Sequence, residues 1–361
     1  MKRLRNFEFF LVQWYHENKR ALPWRNNPVP YHVWVSEIIL QQTQMSRGVD
    51  YFQRFIYTFP DIQSLANADE SDVLKLWQGL GYYSRARNLH LAAKTIVNHY
   101  QGKIPEEYDQ LIKLKGIGDY TASAILSITF NQKYIVADGN AIRVFSRIFA
   151  CKEPKSQSST NTLKKKASQL LNDTQPSDFN QAIMDMGAMI CKPDNPLCSA
   201  CPVQTFCQAF KNSTQHLYPL KAKKTAQRKR YFHYFVVIDD KHRFLIYQRV
   251  KNDIWRNLWE FPCIETADEQ LPGKDEIIAA FNFLSYTDWE LQTLLNKKHI
   301  LTHQLIFVRF YILKIRKFPS SWKNNYRMTK IKNMNEFPVH NLMKKGLTSL
   351  AEHFGDSEYC Q

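Results

Sequence analysis

Residues 114–126 read LKGIGDYTASAIL, and this stretch decides how the N-terminal part of the chain folds. Gly116 and Gly118 bracket a tight turn ahead of an apolar-periodic run, and glycine lets the backbone approach a ligand closely. A helix that opens at such a turn offers unpaired N–H donors and the positive end of its dipole, a ready site for a phosphate group. Upstream, Pro105 followed by EEYDQLIKL has the form of a helix start, so the whole segment reads as a helix–hairpin–helix. A glycine turn between two packed helices of an ordinary all-α protein would look the same. Charge favours the phosphate reading: 49 Lys and Arg against 33 Asp and Glu give a net charge of +16. That excess points to a polyanionic partner, nucleic acid before an anionic membrane, although a basic soluble protein would carry the same charge.

Working outward, a chain of 361 residues is too long for one ordinary core and predicts two domains. Residues 1 to about 210 read as helical, with apolar residues at three and four spacing in VLKLWQGL, NLHLAAKTIVNHY, YTASAILSITF and AIRVFSRIF. A basic linker is placed at 213–229, around LYPLKAKKTAQRKR, which has six basic residues and no acid. Beyond it, YFHYFVVID, RFLIYQRV, NLWEFPCIE and LIFVRFYILKI have the aromatic and β-branched texture of strands, and HNLMKKGLTSLAEHF reads as a helix. The C-terminal part, 230–361, is therefore expected to be a smaller α+β domain. No stretch is long enough to span a bilayer. FEFFLVQWY near the start is interrupted by Glu8 and Gln13 and lacks a cleavage site, so it reads as an amphipathic helix and not a signal peptide. A cytoplasmic, reducing location is expected, in which seven cysteines are better explained by metal or burial than by disulfides.

Four of those cysteines, Cys191, Cys198, Cys201 and Cys207, lie in CKPDNPLCSACPVQTFC. Prolines force turns between them, so the thiolates can converge on one centre. Structural zinc and a 4Fe–4S cluster both accept four cysteines. A zinc ribbon favours two C-x2-C knuckles, and here there is one with two unequal arms. Cys151, Cys263 and Cys360 fall outside the group and are read as unligated.

Two carboxylates stand out. Glu37 sits in VSEIILQQTQ among Val35, Ile38, Ile39 and Leu40. Burying an ion there costs several kcal/mol or more unless it is paired. It is either a structural acid bonded to an arginine or to backbone, or an acid whose pKa is raised by desolvation so that it can donate a proton near neutral pH. Asp138, in YIVADGNAIRVFSRI, precedes a helical run and reads as an N-cap, which would also hold it rigidly at a pocket mouth. A proton-donating acid with an ionised carboxylate is the pairing that breaks a glycosidic bond.

Taken in order, SEIILQQTQ, GLGYYSRARNLH, LKGIGDYTASAIL, VADGNAIRV and the spaced cysteines, with LPWR at 22–25 and FNQAIMDMGAMICKPDNPLCSACP, closely resemble the MutY-type adenine DNA glycosylases of the helix–hairpin–helix superfamily. The likeness covers nearly all of 1–210. It implies a multi-domain fold. An all-α catalytic glycosylase domain would occupy 1–212, with a six-helix module about 30–133 and a 4Fe–4S module built from 1–29 and 134–212. A Nudix or MutT-like lesion-recognition domain would follow the linker. The resemblance also implies roles. Glu37 would protonate adenine N7 and then activate water. Asp138 would stabilise the cationic sugar, and Tyr120 and Asn140 would line the pocket. Arg25 would contact the flipped adenine. Gln42, Thr43, Leu80 and Tyr82 would enter or border the duplex, with Tyr82 as an aromatic wedge. Gly116 and Gly118 would hold phosphate, and the four cysteines would bind a 4Fe–4S cluster. The partner implied is double-stranded DNA containing A·8-oxoguanine or A·G mispairs, engaged by a monomer and with no membrane involved.

Departures from the family pattern refine this. Endonuclease III relatives carry a Schiff-base lysine where this chain has Tyr120, so base removal without strand cleavage is expected. No metal-binding glutamate cluster follows WEFP, so no pyrophosphatase activity is expected. The family's Phe-Ser-His loop aligns with Leu301, Thr302 and His303. Thr302 keeps the hydroxyl, Leu301 lacks the ring, and His303 is equally a strand histidine without a ligand. A thymine-mismatch glycosylase on the same fold and a non-catalytic iron–sulfur DNA-binding protein are the competing readings. The second leaves the pairing of Glu37 with Asp138 without a purpose.

Overall fold

The computed structural model describes residues 2–26, 28–171, 176–221, 226–281, 284, 288–301, 303–316, 318 and 326–355. Two compact units emerge: Met1–Ala68 with Asn88–Lys223, and Asp69–Arg87 with Lys224–Gln361.

In the first unit, local chemistry sets the helix ends. Pro30 opens the Pro30–Leu40 helix at its first turn, where its missing N–H costs nothing. Asp138 caps Gly139–Ile148 by accepting from the Ala141 amide at 2.6 Å. Ser156 forms a capping box with Ser159 at the start of Gln157–Ala167. The N-terminal helix, Lys2–Asn18, buries Phe7, Leu11 and Tyr15 in one core with Phe145 of Gly139–Ile148 and with Phe179, Ile183 and Met186 of Pro176–Met189. Each such fully buried side chain contributes on the order of 1.5–3 kcal/mol, so the start of the chain is pinned to the region that carries the cysteines.

The hairpin differs from its sequence reading in one respect. The helix expected over EEYDQLIKL is a single turn, Tyr108–Leu111, followed by tight turns in which Lys113, Leu114 and Ile117 donate to Gln110, Leu111 and Leu114. Gly116 takes φ +82°, and a Cβ there would meet Asn88 Cβ at 2.7 Å, so only glycine fits. Asp119–Phe130 then begins, with Gly118 at its N-cap. Part of the expected linker is anchored to this unit: Arg147 Nε donates to the carbonyls of Gln215 and Tyr218 at 3.0 and 3.2 Å, and the Lys155 amide donates to the Leu220 carbonyl at 3.1 Å.

The second unit is a mixed sheet. β1 (Arg228–Ile238) pairs in parallel with β6 (Gln304–Ile315) and antiparallel with β2 (Phe244–Gln248) and β4 (Cys263–Thr266). β3 (Trp259–Glu260) and β7 (Tyr326–Thr329) add to β2, and β5 (Trp289–Ile300) adds to β6 as the edge. The Asn341–Phe354 helix turns Leu342, Met343, Leu347 and Leu350 inward. Its Gly346 meets the Phe310 ring, where a Cβ would come within 2.5 Å. The Glu70–Leu76 helix and the loop after it belong to this unit.

Candidate active site

Glu37 is in the middle of an almost wholly apolar helix, and burial is its ordinary fate there: it is 6% exposed. It opens onto a cavity of about 630 Å³ that is also lined by Arg25, Gln42, Thr43, Tyr120, Asp138 and Asn140. The structure therefore brings together residues from four separate motifs: LPWR, the segment after Glu37, the first turn after the hairpin, and the Asp138 cap.

Burial pushes the Glu37 carboxyl up to about 7, and the negative charge of Asp138 pushes in the same direction. The Tyr120 hydroxyl donates to Glu37 Oε2 and opposes that rise, as does the more weakly felt charge of Arg25. Asp138 is also raised by burial, against the Ala141 amide and the charge of Arg143. Asn140 Oδ1 accepts from Arg143 Nη2 at 2.9 Å. Helix Pro176–Met189 reaches this corner through Gly187, where any Cβ would sit 2.7 Å from Asn140 Cβ.

Arg25 is not the partner of Glu37. It grips Asp185 with Nη1 to Oδ2 at 2.7 Å and Nη2 to Oδ1 at 2.9 Å, and Arg20 adds Nε to Oδ1 at 2.8 Å. Asp185 is fully buried, and although burial pushes its carboxyl up, the two arginines outweigh this and hold it below the usual carboxylate range. Arg20 and Gln181 also line the cavity. The sequence reading named neither of these residues nor Asp185. An acid inside AIMDMGAMI was the same signal as Glu37 and could have found it.

Other expected residues lie elsewhere. Gly118 has open space around the position of a Cβ. Leu80 and Tyr82 are in the second unit. Tyr82 takes φ +47° and is 44% exposed, with the Arg85 guanidinium 5.7 Å from its ring centre. Leu301 and His303 form the turn between β5 and β6: the Leu301 amide donates to the Gln304 carbonyl at 2.8 Å, and the His303 carbonyl accepts from the Arg228 amide at 3.0 Å. Thr302 lies outside the described residues.

Cys191, Cys198, Cys201 and Cys207 line one small cavity with Arg147 and Gln215. Arg147 Nη1 donates to Cys191 Sγ at 3.3 Å. Burial pushes Cys201 up to about 12, and the neighbouring Cys191, Cys207 and Cys198 add to that, so the four sulfurs feel one another. Among the described residues no three His, Cys, Asp or Glu side chains converge tightly enough for a single metal ion. Zinc needs four sulfurs about 2.3 Å from one point, whereas a cubane cluster takes one thiolate on each of its irons. The donor set, four thiols lining one small cavity, has the chemistry that an iron–sulfur cluster requires.

Residues 35–169 match the HhH-GPD superfamily of base excision DNA repair proteins, and residues 233–349 match the NUDIX domain. The chain is 40% identical over 267 residues to adenine DNA glycosylase of Buchnera aphidicola subsp. Schizaphis graminum, covering 72% of this chain and 75% of that protein. It is 33% identical over 335 residues to adenine DNA glycosylase of Buchnera aphidicola subsp. Acyrthosiphon pisum, covering 89% and 90%. The solved structure of a thermostable thymine-DNA glycosylase superposes with a TM-score of 0.54 at 25% identity over 58% of this chain and 98% of that one. A trapped endonuclease III–DNA covalent intermediate gives 0.51 at 19% identity over 59% and 97%, a likeness of fold. Among the described residues no helix is long and apolar enough to cross a membrane.

Proposed function

Because the chain belongs to the adenine DNA glycosylases of base excision repair, we propose that it hydrolyses the N-glycosidic bond of adenine mispaired with 8-oxoguanine or guanine, without cutting the strand. The observation that carries this reading is the cavity that joins Glu37, raised to about 7, to Asp138. A stacked base is out of reach of both acids, so adenine must first leave the duplex. That costs a few kcal/mol, least at a mispair.

In the cavity the protonated Glu37 gives its proton to adenine N7. The C1′–N9 bond breaks with its electron pair leaving on the base, and the carboxylate of Asp138 stabilises the cationic sugar, in part as a transient covalent adduct. Glu37, now ionised, takes a proton from the water that attacks C1′, leaving an abasic site and free adenine. The Tyr120 hydroxyl, kept neutral by burial, holds the Glu37 carboxyl in place. Arg25, fixed by Asp185, presents its remaining face to the base. Asn140 borders the sugar. Among the described residues lining the cavity there is no lysine, which supports base removal without a Schiff base. Tyr82 and Leu80 act on the duplex beside the mispair, Gly116 and Gly118 bind backbone phosphate, and the turn Leu301–His303 faces the opposite base.

Cys191, Cys198, Cys201 and Cys207 hold a 4Fe–4S cluster in this reading. When bound, it braces the C-terminal end of the catalytic domain and contributes no hydrolytic step. A thymine-mismatch glycosylase would share Asp138 and the cysteines, but a purine N7 proton donor such as Glu37 would have no purpose there. Incubating the protein with A·8-oxoguanine, A·G and T·G duplexes tests the proposal. Strand cutting only after alkali, on the two adenine duplexes, is expected; thymine release or cutting without alkali would overturn it.

A further inference from the structure

We infer that the C-terminal domain holds the Tyr82 loop in position through the hydroxyl of Tyr83, so that the domain facing the opposite base also sets where the wedge stands. This rests on the wedge role proposed for Tyr82.

The loop adopts a backbone that needs external support. Gly79, Gly81 and Tyr82 all take positive φ, at +102°, +74° and +47°, a conformation that a non-glycine residue keeps only when its surroundings impose it. Within the loop, Trp77 Nε1 and Arg85 Nη2 both donate to the Gly81 carbonyl at 3.2 Å. Further anchors come from beyond residue 250. The Tyr83 hydroxyl donates to the Val339 carbonyl at 3.0 Å and accepts from the Gly79 amide at 3.5 Å, bridging the loop backbone to the C-terminal domain. Tyr83 is 4% exposed, so the bridge is dry and its loss would leave a buried carbonyl unsatisfied. Asn257 Nδ2 donates to Glu70 Oε1 at 2.5 Å and Arg87 Nη1 donates to the Arg256 carbonyl at 2.8 Å. These two links grip the segment on either side of the loop.

The anchor itself is firm. Val339 bridges to Trp259 at the start of β3 and is followed at once by His340, which caps the Asn341–Phe354 helix by accepting from the Met343 amide at 3.1 Å. Tyr83 is thus a positioning residue: it touches no substrate and acts through Tyr82.

The test is a double-mutant cycle read by single-turnover excision from A·8-oxoguanine and by the emission of 2-aminopurine placed beside the mispair, which changes when Tyr82 enters the stack. Tyr83→Phe keeps the ring and is expected to lower excision about two- to tenfold and to reduce the emission change. Asn257→Ala should shift both in the same direction by less. In a Tyr82→Ala background Tyr83→Phe should add nothing, because its effect passes through the missing ring. Wild-type emission and rate in Tyr83→Phe, or losses that add to those of Tyr82→Ala, would overturn the inference. Wild-type emission in Tyr82→Ala alone would instead remove the wedge role on which it rests.

Discussion

Two buried glutamates, one in each unit, show what decides whether a buried acid keeps its proton. Glu37 and Glu260 are 6% and 1% exposed, and each accepts a hydrogen bond from a tyrosine, Tyr120 for the first and Tyr234, at 2.8 Å, for the second. Around Glu260, His340 Nε2 stands at 3.2 Å and Arg249 Nη1 at 2.7 Å. Burial pushes that carboxyl up, but the histidine and the arginine outweigh it and hold it below the usual range. Around Glu37, among the described residues, no such cation is bonded: Arg25, which lines the same cavity, spends its guanidinium on Asp185. Burial therefore wins, and the acid reaches about 7. The same residue type in the same degree of burial has its carboxyl raised or lowered according to whether a cation is within bonding distance.

The largest expected effect separates the two directly. Glu37→Gln removes the proton donor and should lower single-turnover adenine excision by about 10²- to 10⁴-fold, while binding to mispaired DNA measured by fluorescence anisotropy stays near wild type. Glu260→Gln should do the reverse. It removes the closer of the two acids on buried Arg249, leaving Asp253 at 3.2 Å, and denaturant unfolding should show a loss of up to about 3–5 kcal/mol, with excision by the folded fraction near wild type. If both substitutions behaved alike, the comparison would fail.

A smaller effect concerns stability against pH. Between the ordinary value of 4.5 and about 7 the folded protein holds the Glu37 proton more tightly than the unfolded chain does. Folded molecules bind more protons in that window, so this group's contribution falls as pH rises through it. Glu260, with its lowered folded value, contributes stability that is lost as pH falls towards acid. Unfolding curves from pH 4.5 to 8 should show wild type losing ground relative to Glu37→Gln, until the variant is the more stable protein by a few kcal/mol at most. Parallel curves for the two proteins would show that burial does not tax the Glu37 charge.

Much of the candidate site was legible because each part depends on a few neighbours in sequence. A cap needs only Asp138 and the residues just after it, the hairpin needs Gly116 and Gly118, and Glu37 betrays itself by its apolar neighbours. Asp185 carried the same mark, but its meaning lay in Arg20 and Arg25, which are 165 and 160 positions away. β5 escaped notice because WELQTLLNKKHI is an edge strand, largely exposed or half-buried along its length. It needs no apolar alternation, so none was written into it. The attachment of 69–87 to the C-terminal unit includes hydrogen bonds to residues such as Asn257 and Val339, which no periodicity announces. The short hairpin helix reflects turn bonding that overrides an otherwise helical composition.

The most direct test is a ¹³C NMR titration of glutamate side-chain carboxyls in the intact protein, from pH 4 to 9. One resonance should titrate near 7 and be missing from the spectrum of Glu37→Gln. If every glutamate carboxyl, including the one assigned to Glu37 by that substitution, titrated below pH 5, the acid could not hold a proton at neutral pH and the mechanism built on it would be contradicted.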